Sequence, residues 1–207
     1  SDLPRARVAV LDGINLSVSR GKAHGDITAH TLWGELAWQL AGADGYALVD
    51  AEDKSGTAPG KDTLIALLQQ AAPCVVLIDE LQKYFSDLSQ EGLPAGSFAA
   101  NIKFIQALTE AFKAVPTAVL LASLPASLLK GGAGFDQVAL DALEKHFNRV
   151  NAVWKPAAAE EAFEIIRRRL FAKTGERAEI EQVCRAFQKL YNEHDGDFPP
   201  ECQSAQY

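Results

Sequence analysis

Methionine is absent from all 207 residues, and cysteine is scarce. Cys74, Cys184 and Cys202 are odd in number and far apart. That excludes a disulfide framework or a zinc knuckle and suits a reducing compartment. His24, His30, His146 and His194 are equally scattered, without the spacing of metal ligands. No apolar run is long enough to span a bilayer, and no signal peptide opens the chain. A cytoplasmic protein with no membrane partner is the expectation. Positive charge is also short: 20 Lys and Arg face 27 Asp and Glu, for a formal charge of −7. This argues against a broad phosphate-binding face, while leaving room for a local basic patch. No G-x-G-x-x-G follows a strand, and Ser123 and Ser127 lack a G-x-S-x-G context. A dinucleotide fold and a hydrolase nucleophile elbow therefore have no support. A chain that starts at Ser1 without methionine fits a mature terminus or a piece of a longer protein.

What is present is an alternation of strands and helices. The apolar fraction of 48% and charged fraction of 23% are ordinary for a soluble globular protein with one domain and a small appendage. Arg7 to Asp12 reads as a buried strand closed by Gly13. Ser17 to Thr28 reads as a loop. Thr31 to Ala41 is helical, with Leu32, Trp33, Leu36, Ala37 and Leu40 on one face and Trp38 off the stripe, placed to touch a partner or, the favoured reading, to pack against a neighbouring element. Asp50 to Gly60 reads as a second loop, after which Asp62 caps a helix striped by Leu64, Leu67, Leu68 and Ala71. Cys74 to Ile78 is a strand. Ser97 is placed to cap a long helix whose stripe is Phe98, Ile102, Ile105, Leu108 and Phe112. Thr117 to Leu124 is a third strand. A glycine-rich loop around Gly131 to Gly134 leads into a helix with Leu140, Leu143 and Phe147 inward, and Val150 to Trp154 is a fourth strand. Two helices, Ala159 to Ala172 and Glu179 to Glu193, finish the pattern. The first carries Arg167, Arg168 and Arg169 near its end, which suits the helix dipole and pairing with acids such as Glu164. This order predicts βαβ units and a parallel sheet.

The segment PCVVLIDELQKYF carries the chemical signal. Val75 to Ile78 run straight into Asp79 and Glu80. A buried strand ending in adjacent acids is the arrangement by which nucleotide hydrolases hold Mg²⁺ and orient water, because ligands of open α/β sheets bind at the carboxyl ends of strands. The same pattern also describes a plain solvated strand end. The companion phosphate loop, G-x-x-x-x-G-K-[ST], is not found. Its nearest match, GTAPGKD at Gly56 to Asp62, is one residue short and puts an acid where a hydroxyl should meet the metal. Gly21-Lys22 lacks the upstream glycine, and Gly131 to Gly134 lacks a lysine.

Together these elements resemble an AAA+ ATPase module from which the Walker A strand is missing. VVLIDE resembles Walker B, AVLLASLPAS the sensor-1 strand, EKHFNRVNAVWKP the helix and fifth strand that carry an arginine finger, and AEEAFEIIRRRLF the first lid helix. The likeness is closer to large bacterial and archaeal AAA+-like proteins known only as a domain of unknown function. HTLWGELAWQLAG, DGYALVDAEDKSGTAPG and FIQALTEAFKAVPTAVLLASLPAS carry that likeness over nearly the whole chain.

The resemblance implies an α/β, P-loop NTPase-like core lacking its first strand over residues 1–156, and the start of a helical lid over 157–207. It implies ATP and Mg²⁺ as cofactors, with Asp79 at the Mg²⁺ position, Glu80 at the water-activating position, Ser123 near the sensor-1 position and Arg149 as a candidate finger toward a neighbouring subunit. Genes of that subgroup sit beside DNA methylases and helicases in restriction-like or phage-defence clusters. Partners of the parent protein are therefore expected to be DNA or DNA-modification proteins, with self-association completing the site. Loss of the first strand should leave an unpaired sheet edge and make this piece a poor ATPase by itself. Two alternatives stand beside this reading: a non-catalytic, ATPase-shaped interaction module, and an unrelated α/β enzyme that uses Asp79 and Glu80 with another metal.

Overall fold

The aliphatic runs become a parallel sheet. The coordinates are a computed structural model that describes residues 5–88, 92–123, 141, 143, 147, 159–173 and 175–194. Strands β1 (Arg7–Asp12), β4 (Cys74–Asp79) and β5 (Ala118–Ala122) pair in the order β1-β4-β5, all parallel. The architecture is mixed α/β, and β4 is the middle strand of the three. Helix α1 spans Leu32–Tyr46, α2 Asp50–Ser55 and α3 Lys61–Ala71 between β1 and β4, while α4 (Leu81–Asp87) and α5 (Phe98–Ala114) lie between β4 and β5. The chain divides into two units, Ser1–Val153 and Trp154–Tyr207.

Side-chain alternation sends the two faces of this sheet to different surroundings. Ala9, Leu11, Cys74, Val76, Ile78 and Ala118 are buried beneath helices. Helix α1 packs on β1 and α3, α3 on α5, and α5 on β5. The helices bury the faces expected of α1 and α3: Leu32, Trp33, Leu36, Ala37 and Leu40, then Leu64, Leu67, Leu68 and Ala71. On the other face Val8, Val10, Val119 and Leu121 are 44% to 55% exposed. The outer edge of β1 is partly closed by the Gln39 amide, which accepts from Val10 N at 2.7 Å and donates to Val10 O at 2.8 Å. No described strand pairs with the outer edge of β5.

Several sequence expectations need correction. The polar stretch from Ser17 contains an antiparallel hairpin, β2 (Lys22–His24) and β3 (Ile27–Ala29). Its strands are too short to show an alternating pattern, and its stability comes from long-range contacts to α1. The stretch after Asp50 contains α2, closed by Gly56 in the left-handed region at φ 65°. Helix α1 breaks at Ala41 and Gly42, then continues to Tyr46. Gly60, not Asp62, stands at the N-cap of α3. Ser97 does cap α5, accepting from Ala100 N at 3.1 Å. Of the α5 stripe, Ile105 and Leu108 are fully buried and Phe98, Ile102 and Phe112 pack against the core more shallowly, while Asn101, Phe104, Thr109 and Ala111 complete the buried face. Asn101 tolerates burial because its amide donates to Ala95 O and Ser97 O, both at 3.0 Å. Tyr84 and Phe85 lie in a short helix, α4, that directly follows β4. Leu143 and Phe147 are buried as expected, whereas Leu140, the fourth strand at Val150 to Trp154 and the glycine-rich loop lie outside the described residues.

In the second unit, α6 (Ala159–Leu170) and α7 (Arg177–Glu193) are amphipathic. Two of the three clustered arginines pair with Glu164, as their charge suggests. Arg167 Nε and Nη2 each donate to Glu164 at 2.6 Å, and Arg168 Nε donates at 2.7 Å. These guanidiniums hold the Glu164 carboxyl down at about 2. Among the described residues no helix is long and apolar enough to cross a membrane.

Candidate functional site

Two kinds of acid emerge from this fold. Glu35 and Asp53 are each only 1% exposed, and both are saturated with donors. Asp53 Oδ1 accepts from Thr31 N at 2.9 Å and Thr31 Oγ1 at 2.5 Å. Asp53 Oδ2 accepts from Tyr46 Oη at 2.8 Å, and His30 N lies 3.1 Å from both oxygens. Gly34 passes so close that a Cβ there would meet Asp53 Oδ1 at 2.1 Å. Burial and the Asp53 charge push the Tyr46 hydroxyl pKa upward. Glu35 accepts from Lys22 Nζ at 2.9 Å and Gln39 Nε2 at 2.5 Å, and pairs with His24 Nε2 at 2.6 Å. Burial pushes its pKa up, but the bonds from His24, Lys22 and Gln39 outweigh that and hold it below the ordinary value. Trp38 stacks on His24 with ring centroids 4.9 Å apart, so it packs on a neighbouring element. These contacts fasten the β2–β3 hairpin and α2 to α1, and are structural.

Asp79 and Glu80 differ in every respect. Asp79 is the last residue of the middle strand and Glu80 the first after it, and both are exposed. Register places Asp12 beside Asp79 on one side. On the other, Ser123 N donates to Ile78 O at 2.9 Å and Ser123 Oγ donates to Asp79 Oδ1. Asp12, Asp79 and Ser123 thus form a polar row across three strand ends. By alternation it continues the bare face, beyond the apolar rows Val8–Val75–Val119 and Val10–Leu77–Leu121. Asp79 Oδ2 and the Glu80 carboxylate have no hydrogen-bond partner among the described residues.

The local backbone explains how Glu80 is held. Its φ of 50° and ψ of 32° make it the one non-glycine residue with positive φ among those described. For a side chain of this size that conformation costs on the order of 1–3 kcal/mol and is retained only where the surroundings enforce it. Glu80 N donates to Asp79 Oδ1 at 3.1 Å, and Glu80 O accepts from Lys83 N at 3.0 Å, which starts α4. Leu81, Tyr84 and Phe85 anchor that helix in the core.

Asp12 was not singled out by sequence reasoning, although it closes an aliphatic run just as Asp79 does. Its carboxylate turns back on its own loop, accepting from Ile14 N at 2.9 Å and Asn15 Nδ2 at 2.5 Å. Those bonds, Ile14 first, hold its pKa below the ordinary value. Of the other sequence-derived candidates, Ser123 is brought to Asp79, while Arg149 lies outside the described residues. No group of three or more His, Cys, Asp or Glu fit to hold a metal occurs among the described residues.

The DUF499 N-terminal domain model matches residues 8–157. The chain belongs to this family. The match spans β1 to β5, including Asp79, Glu80 and Ser123, and ends before α6. No curated protein and no solved structure matches the chain.

Proposed function

We propose that this DUF499 domain is the nucleotide-hydrolysing core of a larger AAA+-like ATPase, lacking its phosphate-binding strand within these residues. The observation that carries the reading is the position of Asp79: the carboxyl end of the middle parallel strand, hydrogen-bonded to Ser123 just past the end of the next strand, and with one oxygen unengaged among the described residues. This is where an open parallel sheet presents its ligands. An exposed carboxylate and hydroxyl are hard oxygen donors, the chemistry Mg²⁺ accepts through bridging water. Mg²⁺ bound with ATP supplies neutralisation of phosphate charge. Asp79 would hold the ion through its water shell. Glu80, beside it and without a competing partner among the described residues, orients and polarises the attacking water. Ser123 fixes the rotamer of Asp79 and stands near the transferred phosphoryl group. In this reading an unpaired outer edge of β5 is where the phosphate-loop strand adds, Arg149 reaches a neighbouring subunit, and the hydrolysis serves a DNA-related system of the restriction or defence kind.

The test is ATP turnover by the full-length gene product and by Glu80→Gln. Loss of ~100-fold or more in kcat with nucleotide binding retained supports the assignment. Undiminished turnover in the variant rejects it. The bare apolar sheet face favours a second reading, an ATPase-shaped interaction module. Full-length protein that binds no nucleotide would select it.

A further inference from the structure

We infer that Gly13 is a positioning residue for Glu80, clamping the peptide between residues 79 and 80 and so aiming the Glu80 carboxylate across the strand ends. The meaning of that aim rests on the ATPase reading, whereas the clamp itself rests on geometry.

Gly13 N donates to Asp79 O at 2.8 Å, so the loop after β1 is bonded to the peptide that joins the two acids. A Cβ on Gly13 would stand 2.1 Å from Glu80 O, 2.7 Å from Glu80 C and 3.2 Å from Leu81 Cα. These are backbone atoms and cannot swing aside as a side-chain tip would. The loop carrying Gly13 cannot easily retreat either. Asp12 O accepts from Asn15 N and Leu16 N, each at 3.1 Å, and the Asp12 carboxylate holds Ile14 and Asn15 from the other side. Nor can the Leu81 side yield without disturbing Tyr84 and Phe85, both buried. The softest motion left is rotation of Glu80 about its own backbone, out of a conformation that side chains resist. A side chain at position 13 therefore redirects Glu80 before it disturbs Asp79, whose carbonyl stays in the sheet. The engaged carboxylate of Asp12 gains a purpose here: it rigidifies the loop that sets Glu80.

The experiment uses the full-length chain with Gly13→Ala, Glu80→Gly and the double substitution, read by thermal unfolding and by steady-state MgATP hydrolysis. Glycine at position 80 tolerates the left-handed conformation and also lets the peptide shift. Gly13→Ala should lower Tm by about 5 °C in the wild-type background. It should lower Tm by no more than about half as much beside Glu80→Gly, a non-additivity expected of residues in contact. Gly13→Ala should also lower kcat ~100-fold, as displacement of a reacting group by an ångström does, with KM for ATP within about 3-fold. A merely structural role would lower Tm and leave kcat of the folded protein intact. If Gly13→Ala fails to fold alone but folds with Glu80→Gly, the clamp is supported. Equal loss of Tm in both backgrounds, or failure of both to fold, overturns it. If wild-type protein hydrolyses no ATP, the ATPase reading falls while the Tm coupling still decides the clamp.

Discussion

The two faces of the β1-β4-β5 sheet are built from nearly the same residue types, yet one is sealed and the other bare. Beneath the helices stand Ala9, Leu11, Val76 and Ile78, all buried; on the opposite side stand Val8, Val10, Val119 and Leu121, all exposed. Parallel sheets are ordinarily covered on both sides, so aliphatic residues on the open side mean that this surface is not designed for water. The polar row Asp12, Asp79 and Ser123 continues that open side at the strand ends. The acids divide in a similar way: Glu35 and Asp53 work inside the sealed half as satisfied fasteners, whereas Asp79 and Glu80, at the exposed strand end, keep oxygens unengaged among the described residues.

That contrast can be broken most violently at Asp53. Asp53→Asn replaces one acceptor oxygen with a donor facing Thr31, His30 or Tyr46, and should destabilise the fold by about 3–4 kcal/mol in denaturant titration. Ile78→Ala removes a buried side chain of the central strand and should cost about 3 kcal/mol by the same measurement. Glu35→Gln should cost about 2 kcal/mol at neutral pH. The pH dependence has a definite sign. The folded Glu35 pKa lies below its ordinary 4.5, so its contribution is complete above that value and is lost as pH falls through the lower folded value. The gap in Tm between wild type and Glu35→Gln should therefore close below about pH 4.5. At the small end, Leu121→Ser on the bare face should change stability by no more than about 0.5 kcal/mol. A loss as large as that of Ile78→Ala would show that Leu121 is covered after all.

Much of the sealed half could be read from spacing. The aliphatic runs ending in Asp12 and Asp79 stand out against their polar surroundings, and the stripes of α1 and α3 repeat at helical intervals. The hairpin was not legible, because three-residue strands give no alternation; only Gly25-Asp26, a two-residue turn, marks it. The α5 stripe was legible only in part: Ile105 and Leu108 are buried and Phe98, Ile102 and Phe112 pack at the core margin, but the polar Asn101 is buried through bonds that composition does not reveal. The fastening roles of Glu35 and Asp53 depend on partners such as Lys22, His24 and Thr31, brought together only by folding. At the candidate site, Asp79 and Glu80 were visible as a run ending in acids. Gly13 was not, because nothing in sequence shows which loop lies against a strand end sixty-odd residues away.

The most direct test of the central claim is to locate a bound metal. A crystal structure of the full-length protein with Mn²⁺ and a non-hydrolysable ATP analogue should place the metal one bridging water from Asp79, with the terminal phosphate facing Glu80. Metal and phosphates bound elsewhere, with the ends of β4 and β5 left to solvent, would contradict it.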